Sequence, residues 1–192
     1  MNKSDKISGQ SNQETIALVL MDLQPRLLST IPKNEKILSS NSILLQAARL
    51  LTLPILVTEQ VPEKLGSTDK CLRPLLDQST VFAKNSFSAF GCDGFSRKIS
   101  DLQITHLILS GIELPICIFL TACDALQKNL KVTVLTDCVG CRRLADGDVA
   151  LSELRSRGVS ILSLETFLFQ RLQSSINPNF RAVSEMIRNR NI

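Results

Sequence analysis

At 192 residues, with 44% hydrophobic and 21% charged residues and no Trp or Tyr, the chain has the make-up of one aliphatic-rich globular core, not of a disordered or fibrous protein. Its net charge of +4 comes from scattered basic residues without aromatic neighbours, so nucleic acid is not an expected partner. No run reaches the roughly 18 apolar residues of a membrane span, so no membrane contact is expected; the first fifteen residues hold neither an apolar signal core nor an arginine, so the cytoplasm is the expected setting, the mitochondrion the alternative, and the six cysteines read as thiols.

Residues 1–15 are polar and aperiodic and read as a flexible tail, with one domain over 16–192. Ile16-Ala-Leu-Val-Leu-Met21 is a continuous apolar run, the pattern of a strand buried on both faces, and it ends at Asp22-Leu-Gln24-Pro25. Asn34 to Leu51 suits a helix with a possible interruption at Ser39–Ser42, and Pro54 to Thr58 resumes as strand before the turn-rich Glu59 to Gly66. Thr80 to Gly91 sets Lys84 between short apolar and aromatic stretches; Phe95 to Leu102 suits a short helix.

Thr105 to Ser110 is a further strand, turning through Gly111 into a helix that is apolar on nearly every side, with Pro115 and Cys117 in its first turn. Lys131 to Thr136 is the next strand and leads into Asp137-Cys138-Val-Gly140-Cys141. Ala145 to Arg157 reads as helix, Val159 to Leu162 as the last strand, and Thr166–Leu172 and Pro178–Arg190 as closing helices, the second capped by Asn177. Strands alternating with helices predict an α/β fold in which a parallel sheet is covered on both faces.

In such a sheet, sites form beyond the carboxyl ends of the strands, where Asp22, Gln24, Gln60 and Cys117 are expected and which Lys84 could reach. A thiol in the first turn of a helix ionises more easily than a free one, and the unpaired amides there can hold a negative oxygen. A carboxylate can take the thiol proton and pass it to a leaving group, and an ammonium orients the acid. Asp22, Lys84 and Cys117 therefore form a candidate nucleophilic triad without histidine. Each has a plainer reading, as a turn residue, a solvated lysine and a small buried hydrophobe respectively. Cys138 and Cys141 have C-x-x-C spacing but no second pair to complete a zinc site, and read as two unrelated loop thiols, with redox chemistry as the lesser reading. The lone His106 reads as a core histidine. Phe87 and Phe90 are candidates for the apolar wall of a substrate pocket, with structural packing the equal alternative.

Leu-Val-Leu-Met-Asp22-Leu-Gln24, Thr58-Glu59-Gln60, Phe82-Ala-Lys84 with Phe87-Ser-Ala-Phe90, and Gly111-Ile-Glu113 with Cys117 together resemble the isochorismatase-like cysteine hydrolases, in order and spacing, over residues 16 to 172. The resemblance implies a three-layer fold on a six-stranded parallel sheet, Asp22 as general base and acid, Lys84 as its charged partner and Cys117 as nucleophile. It also implies a non-proline cis peptide at Ile112–Glu113 that turns an amide toward that of Cys117 to complete an oxyanion hole. Gln24, Gln60, Phe87 and Phe90 become the candidate contacts of a small-molecule substrate, an amide-type compound cleaved through an acyl-thioester. No metal or other cofactor is implied, and a homo-oligomer is. The chain departs from many relatives in having Leu114-Pro115-Ile116 ahead of the nucleophile, and it lacks the metal-binding histidines of nicotinamidases. Ribonuclease activity and a non-catalytic interaction protein on the same fold are the alternatives.

Overall fold

Every residue of strand β1 (Ile16–Met21) is buried, and successive side chains enter opposite apolar layers: Ile16, Leu18 and Leu20 on one side, Ala17, Val19 and Met21 on the other. A strand with two dry faces is therefore written as an unbroken apolar run. The computed structural model describes residues 14–77 and 79–190. After β1 come α1 (Pro25–Leu28), α2 (Asn34–Leu50), β2 (Ile55–Gln60), α3 (Pro62–Leu65), β3 (Thr80–Lys84), α4 (Asp93–Asp101) and β4 (His106–Ile112). A π-helical turn (Leu114–Ile118) then runs directly into α5 (Phe119–Gln127), followed by β5 (Lys131–Gly140), α6 (Leu144–Ser156), β6 (Ser160–Leu162), α7 (Leu164–Leu172) and α8 (Phe180–Arg188).

The strands form one six-stranded parallel sheet in the order β3-β2-β1-β4-β5-β6. Side chains of α2, α7 and α8 close one face and those of α4, α5 and α6 the other, which gives the three-layer α/β architecture. The chain steps outward from β1 to β2 and β3, then returns to β1's other side with β4, so the strand order reverses at β1 and β4. A crevice at the carboxyl ends of these strands is the place such a sheet offers a ligand. Gly111 makes the close approach there possible: it has φ +107°, and a Cβ on it would stand 2.1 Å from the Met21 carbonyl oxygen.

Several elements differ from the sequence expectation. Helix α2 runs without interruption through Ser39–Ser42, because Ser40 and Asn41 are buried with partners: Asn41 Nδ2 donates to the Ile37 and Cys138 carbonyls, and Arg190 Nη2 donates to Ser40 Oγ. Strand β4 extends through Gly111, and the turn into the helix falls at Ile112–Glu113. Strand β5 continues to Gly140 past a register irregularity against β4, so Cys138 lies in a strand and Cys141 directly after it. The two thiols enter opposite apolar layers, which removes the redox-pair reading. Helix α8 starts at Phe180, and Asn177 instead accepts from the Asn179 amide in the preceding turn. Residues 1–13 of the expected tail lie outside the described residues, whereas the Thr15 carbonyl accepts from the Thr105 and His106 amides at the edge of β4. His106 is half-buried at the amino end of β4, with Nε2 2.8 Å from Thr133 Oγ1 and Nδ1 3.2 Å from a Glu14 carboxylate oxygen.

Candidate active site

Parallel register brings the site residues together. Met21 pairs with both Thr58 and Gly111, and Gln60 pairs with Lys84, so the residues at or just past these positions share one edge of the sheet. Asp22 follows β1 in the left-handed region, φ +52°, a conformation Asp tolerates better than most residues. Its carboxylate is wholly buried: Oδ2 accepts from Lys84 Nζ at 2.8 Å and Oδ1 from Thr58 Oγ1 at 2.7 Å. The Lys84 side chain is equally buried, and it also reaches Gln60 Oε1 at 2.6 Å, the Ser86 and Phe87 carbonyls at 3.2 Å and Cys117 Sγ at 3.8 Å. A buried ion pair is tolerable only when the remaining polar valences are filled, and here both partners meet that condition.

Cys117 sits in the π-helical turn, and its Sγ lies 3.8 Å from Lys84 Nζ, the ammonium that is paired with Asp22. Burial pushes this thiol up to about 12, with the neighbouring Asp22 charge acting in the same direction and Lys84 and the Glu113 amide opposing it. Burial thus opposes the easier ionisation expected of a thiol in a first helical turn, and favours the protonated sulfur over a standing thiolate. The peptide Ile112–Glu113 is cis.

The sulfur opens on a cavity of about 260 Å³, slightly below the range usual for drug-sized ligands and suited to a small metabolite. Leu27, Ile31, Ile112, Ile116 and the exposed Phe87 supply apolar walls, and Thr30, Gln60, Glu113 and Arg142 the polar edges. Ile116 lines the cavity and adds to its apolar wall, while Leu114 is buried beside α6.

Two sequence candidates stand elsewhere. Gln24 does not line the cavity: it is fully buried, its Nε2 donates to the Gln60 and Gly66 carbonyls, and its Oε1 accepts from the Gln60 amide at 2.8 Å. Its amide joins the end of β2 to the segment after β1 and so fixes the two edges that carry Asp22 and Gln60. Phe90 packs edge-on against Phe95 with ring centroids 5.2 Å apart and carries the Lys128 ammonium on its outer side, so it belongs to the core. Gln60 lines the cavity, but both ends of its amide are spent, on Lys84 and on the Asn85 carbonyl.

Two residues escaped the sequence reading. Thr58 stands in a motif of the resemblance but was given no role, although its register opposite Met21 places its hydroxyl on Asp22. Arg142 comes from the loop after β5 and carries no local motif; its amide and Nε donate to the two oxygens of Glu113 at 3.2 and 2.9 Å. Among the described residues no group of three or more His, Cys, Asp or Glu side chains stands close enough to share a metal ion.

Comparison with known proteins gives a consistent result. The family model of the isochorismatase domain matches residues 16–166. Isochorismatase domain-containing protein 2 of Danio rerio is 33% identical over 181 residues, which cover 93% of this chain and 90% of that protein. Among solved structures, one named MAR1 ribonuclease from Caenorhabditis elegans superposes with a TM-score of 0.86 at 30% identity, covering 91% of this chain and 90% of the other. The YcaC protein of Escherichia coli, described as an octameric hydrolase of unknown specificity, superposes with a TM-score of 0.81 at 18% identity, covering 92% and 95%. The last likeness is one of fold.

Proposed function

The chain belongs to the isochorismatase family, and from that premise we propose that it is a cysteine hydrolase acting on a small amide-type substrate. The observation that carries this reading is the buried Asp22–Lys84 pair at 2.8 Å with the Cys117 Sγ 3.8 Å from the same Lys84 Nζ and lining a cavity of about 260 Å³.

In the proposed reaction the substrate carbonyl enters beside Cys117. Sulfur attacks the carbon while Asp22 takes the thiol proton, so the negative charge passes from carboxylate to the carbonyl oxygen as the S–C bond forms. A thiol held protonated against a base suits this coupled transfer, and the dry site keeps the base unscreened. Lys84 stays paired throughout; its fixed positive charge offsets Asp22 when ionised and the sulfur as charge builds on it. Backbone amides of the 112–117 turn are the candidate donors to the oxyanion. Asp22 then gives the proton to the leaving nitrogen, the C–N bond breaks, and an acyl-thioester remains. Water, losing a proton to Asp22, attacks the thioester; the acid departs and the proton returns to sulfur.

The name of the Caenorhabditis elegans relative favours ribonuclease action as a second reading. Against it, the chain's one histidine lies at the amino end of β4, tied to Thr133 and Glu14, at the opposite edge of the sheet from Cys117. Ammonia release from a panel of small amides, run beside RNA cleavage with wild type and Cys117→Ala, separates the readings. The hydrolase reading expects amide turnover lost in Cys117→Ala; RNA cleavage that survives this substitution, with no amide turned over, overturns it. Homo-oligomer formation and a cytoplasmic or mitochondrial setting remain part of the same proposal.

A further inference from the structure

The cavity's polar edges differ in what they still have to offer. Thr30 Oγ1 donates to the Leu27 carbonyl, the Gln60 amide is engaged at its oxygen by Lys84 and at its nitrogen by the Asn85 carbonyl, and the Cys117 sulfur stands 3.8 Å from Lys84 Nζ. Glu113 uses both carboxylate oxygens on Arg142, one on its amide and one on Nε. That arrangement holds the guanidinium by its inner edge and leaves Nη1 and Nη2 without an acceptor among the described residues, on a half-exposed side chain that lines the cavity alongside the apolar Leu27, Ile31, Ile112 and Ile116. A guanidinium gripped at Nε presents its two outer nitrogens as a flat fork, the geometry that takes a carboxylate through two parallel bonds.

Building on the hydrolase reading, we infer that the substrate is an amide carrying a carboxylate at the end away from the scissile bond, and that Arg142 selects it. Glu113 is a positioning residue in this arrangement: it orients the fork and cancels its net charge, so discrimination comes from directed hydrogen bonds more than from bulk attraction. The apolar residues that line the same cavity, Leu27, Ile31, Ile112 and Ile116, suit a short methylene chain. Hydrolysis of such an ω-amide breaks the C–N bond, adds the water's hydroxyl to the acyl carbon and its hydrogen to nitrogen, and yields a dicarboxylate and ammonia.

The test compares malonamate, succinamate and glutaramate with the diamides of the same acids, in which a neutral carboxamide replaces the carboxylate at equal size. Wild type is expected to favour at least one acid over its diamide by tenfold or more in kcat/KM, chiefly through KM. Arg142→Gln is expected to abolish that ratio and Arg142→Lys to restore part of it, since an ammonium supplies charge without the fork. Equal rates on acid and diamide in wild type, or an equal loss on both in Arg142→Gln, overturn the inference. If wild type cleaves none of these amides, the hydrolase reading fails on them, and calorimetry on Cys117→Ala with succinate and glutarate decides about Arg142 separately. Dicarboxylate binding weakened tenfold or more by adding Arg142→Gln upholds the anion site; absence of binding, or binding indifferent to Arg142, overturns it.

Discussion

Replacing Asp22 by Asn tests the proposed division of labour because it should move two readouts in opposite directions. The wild-type thiol feels Asp22 and Lys84 with opposite signs while burial raises it, and the balance stands at about 12. Asparagine keeps the shape of the buried pair but removes the Asp22 charge that raises the thiol, leaving the Lys84 ammonium 3.8 Å from sulfur uncancelled. A unit charge about 4 Å off is worth about 4 kcal/mol at an effective dielectric near 20, close to a factor of 1,000 in an equilibrium. With relaxation of the site, thiolate at neutral pH should still rise by roughly a hundredfold, and iodoacetamide should label Cys117 correspondingly faster. Amide turnover should meanwhile fall by about 10²–10⁴, because the general base is gone. Labelling followed by peptide mass spectrometry against pH, beside ammonia release, reads both. Slower labelling in Asp22→Asn would mean that Asp22 maintains a standing thiolate, and would refute the coupled-transfer reasoning.

Gly111→Ala should destabilise the fold by about 2–3 kcal/mol or more, since its Cβ would collide with the Met21 backbone and the residue must keep φ +107°; a lowered urea midpoint checks this. Thr58→Val should cost about 1–3 kcal/mol by leaving Asp22 Oδ1 without its buried donor, and should lower kcat with KM little changed. Stability should fall in alkali. Burial raises the thiols of both Cys117 and Cys138, so the unfolded chain, with thiols near about 8.5, loses its protons first as pH rises. The Tm is then expected to hold below about pH 8 and decline above it, and Cys138→Ala to show a shallower decline between pH 8 and 10.

The sheet was legible in the sequence because strands buried on both faces must be apolar at every position, as in 16–21, and because turn residues follow the carboxyl ends where Asp22 and Gln60 stand. The grouping of Asp22, Lys84 and Cys117 was first suggested by their places at the carboxyl ends of strands, and the ordered motifs then gave each a role. What was not legible depended on contacts far along the chain. Helix α2 passes its serine-rich stretch because Cys138 and Arg190, roughly a hundred or more residues on, satisfy Asn41 and Ser40. Polar type suggested that Gln24 meets substrate, whereas backbone edges consume its amide. Phe87 and Phe90 look alike in sequence, and only the short 3₁₀ turn at Ala89–Gly91 sends one to the cavity mouth and the other into the core. The upward push on the thiol comes from burial first and from the Asp22 charge second, neither of which a helix position reveals.

The most direct test of the central claim is the mass of the intact chain after acid quenching during turnover of a small amide, with the adduct located by peptide mapping. The account predicts a chain heavier by the acyl group, the mass resting on Cys117 and disappearing as substrate is exhausted. Turnover that proceeds in Cys117→Ala, or an acyl group carried on any other residue, would contradict it.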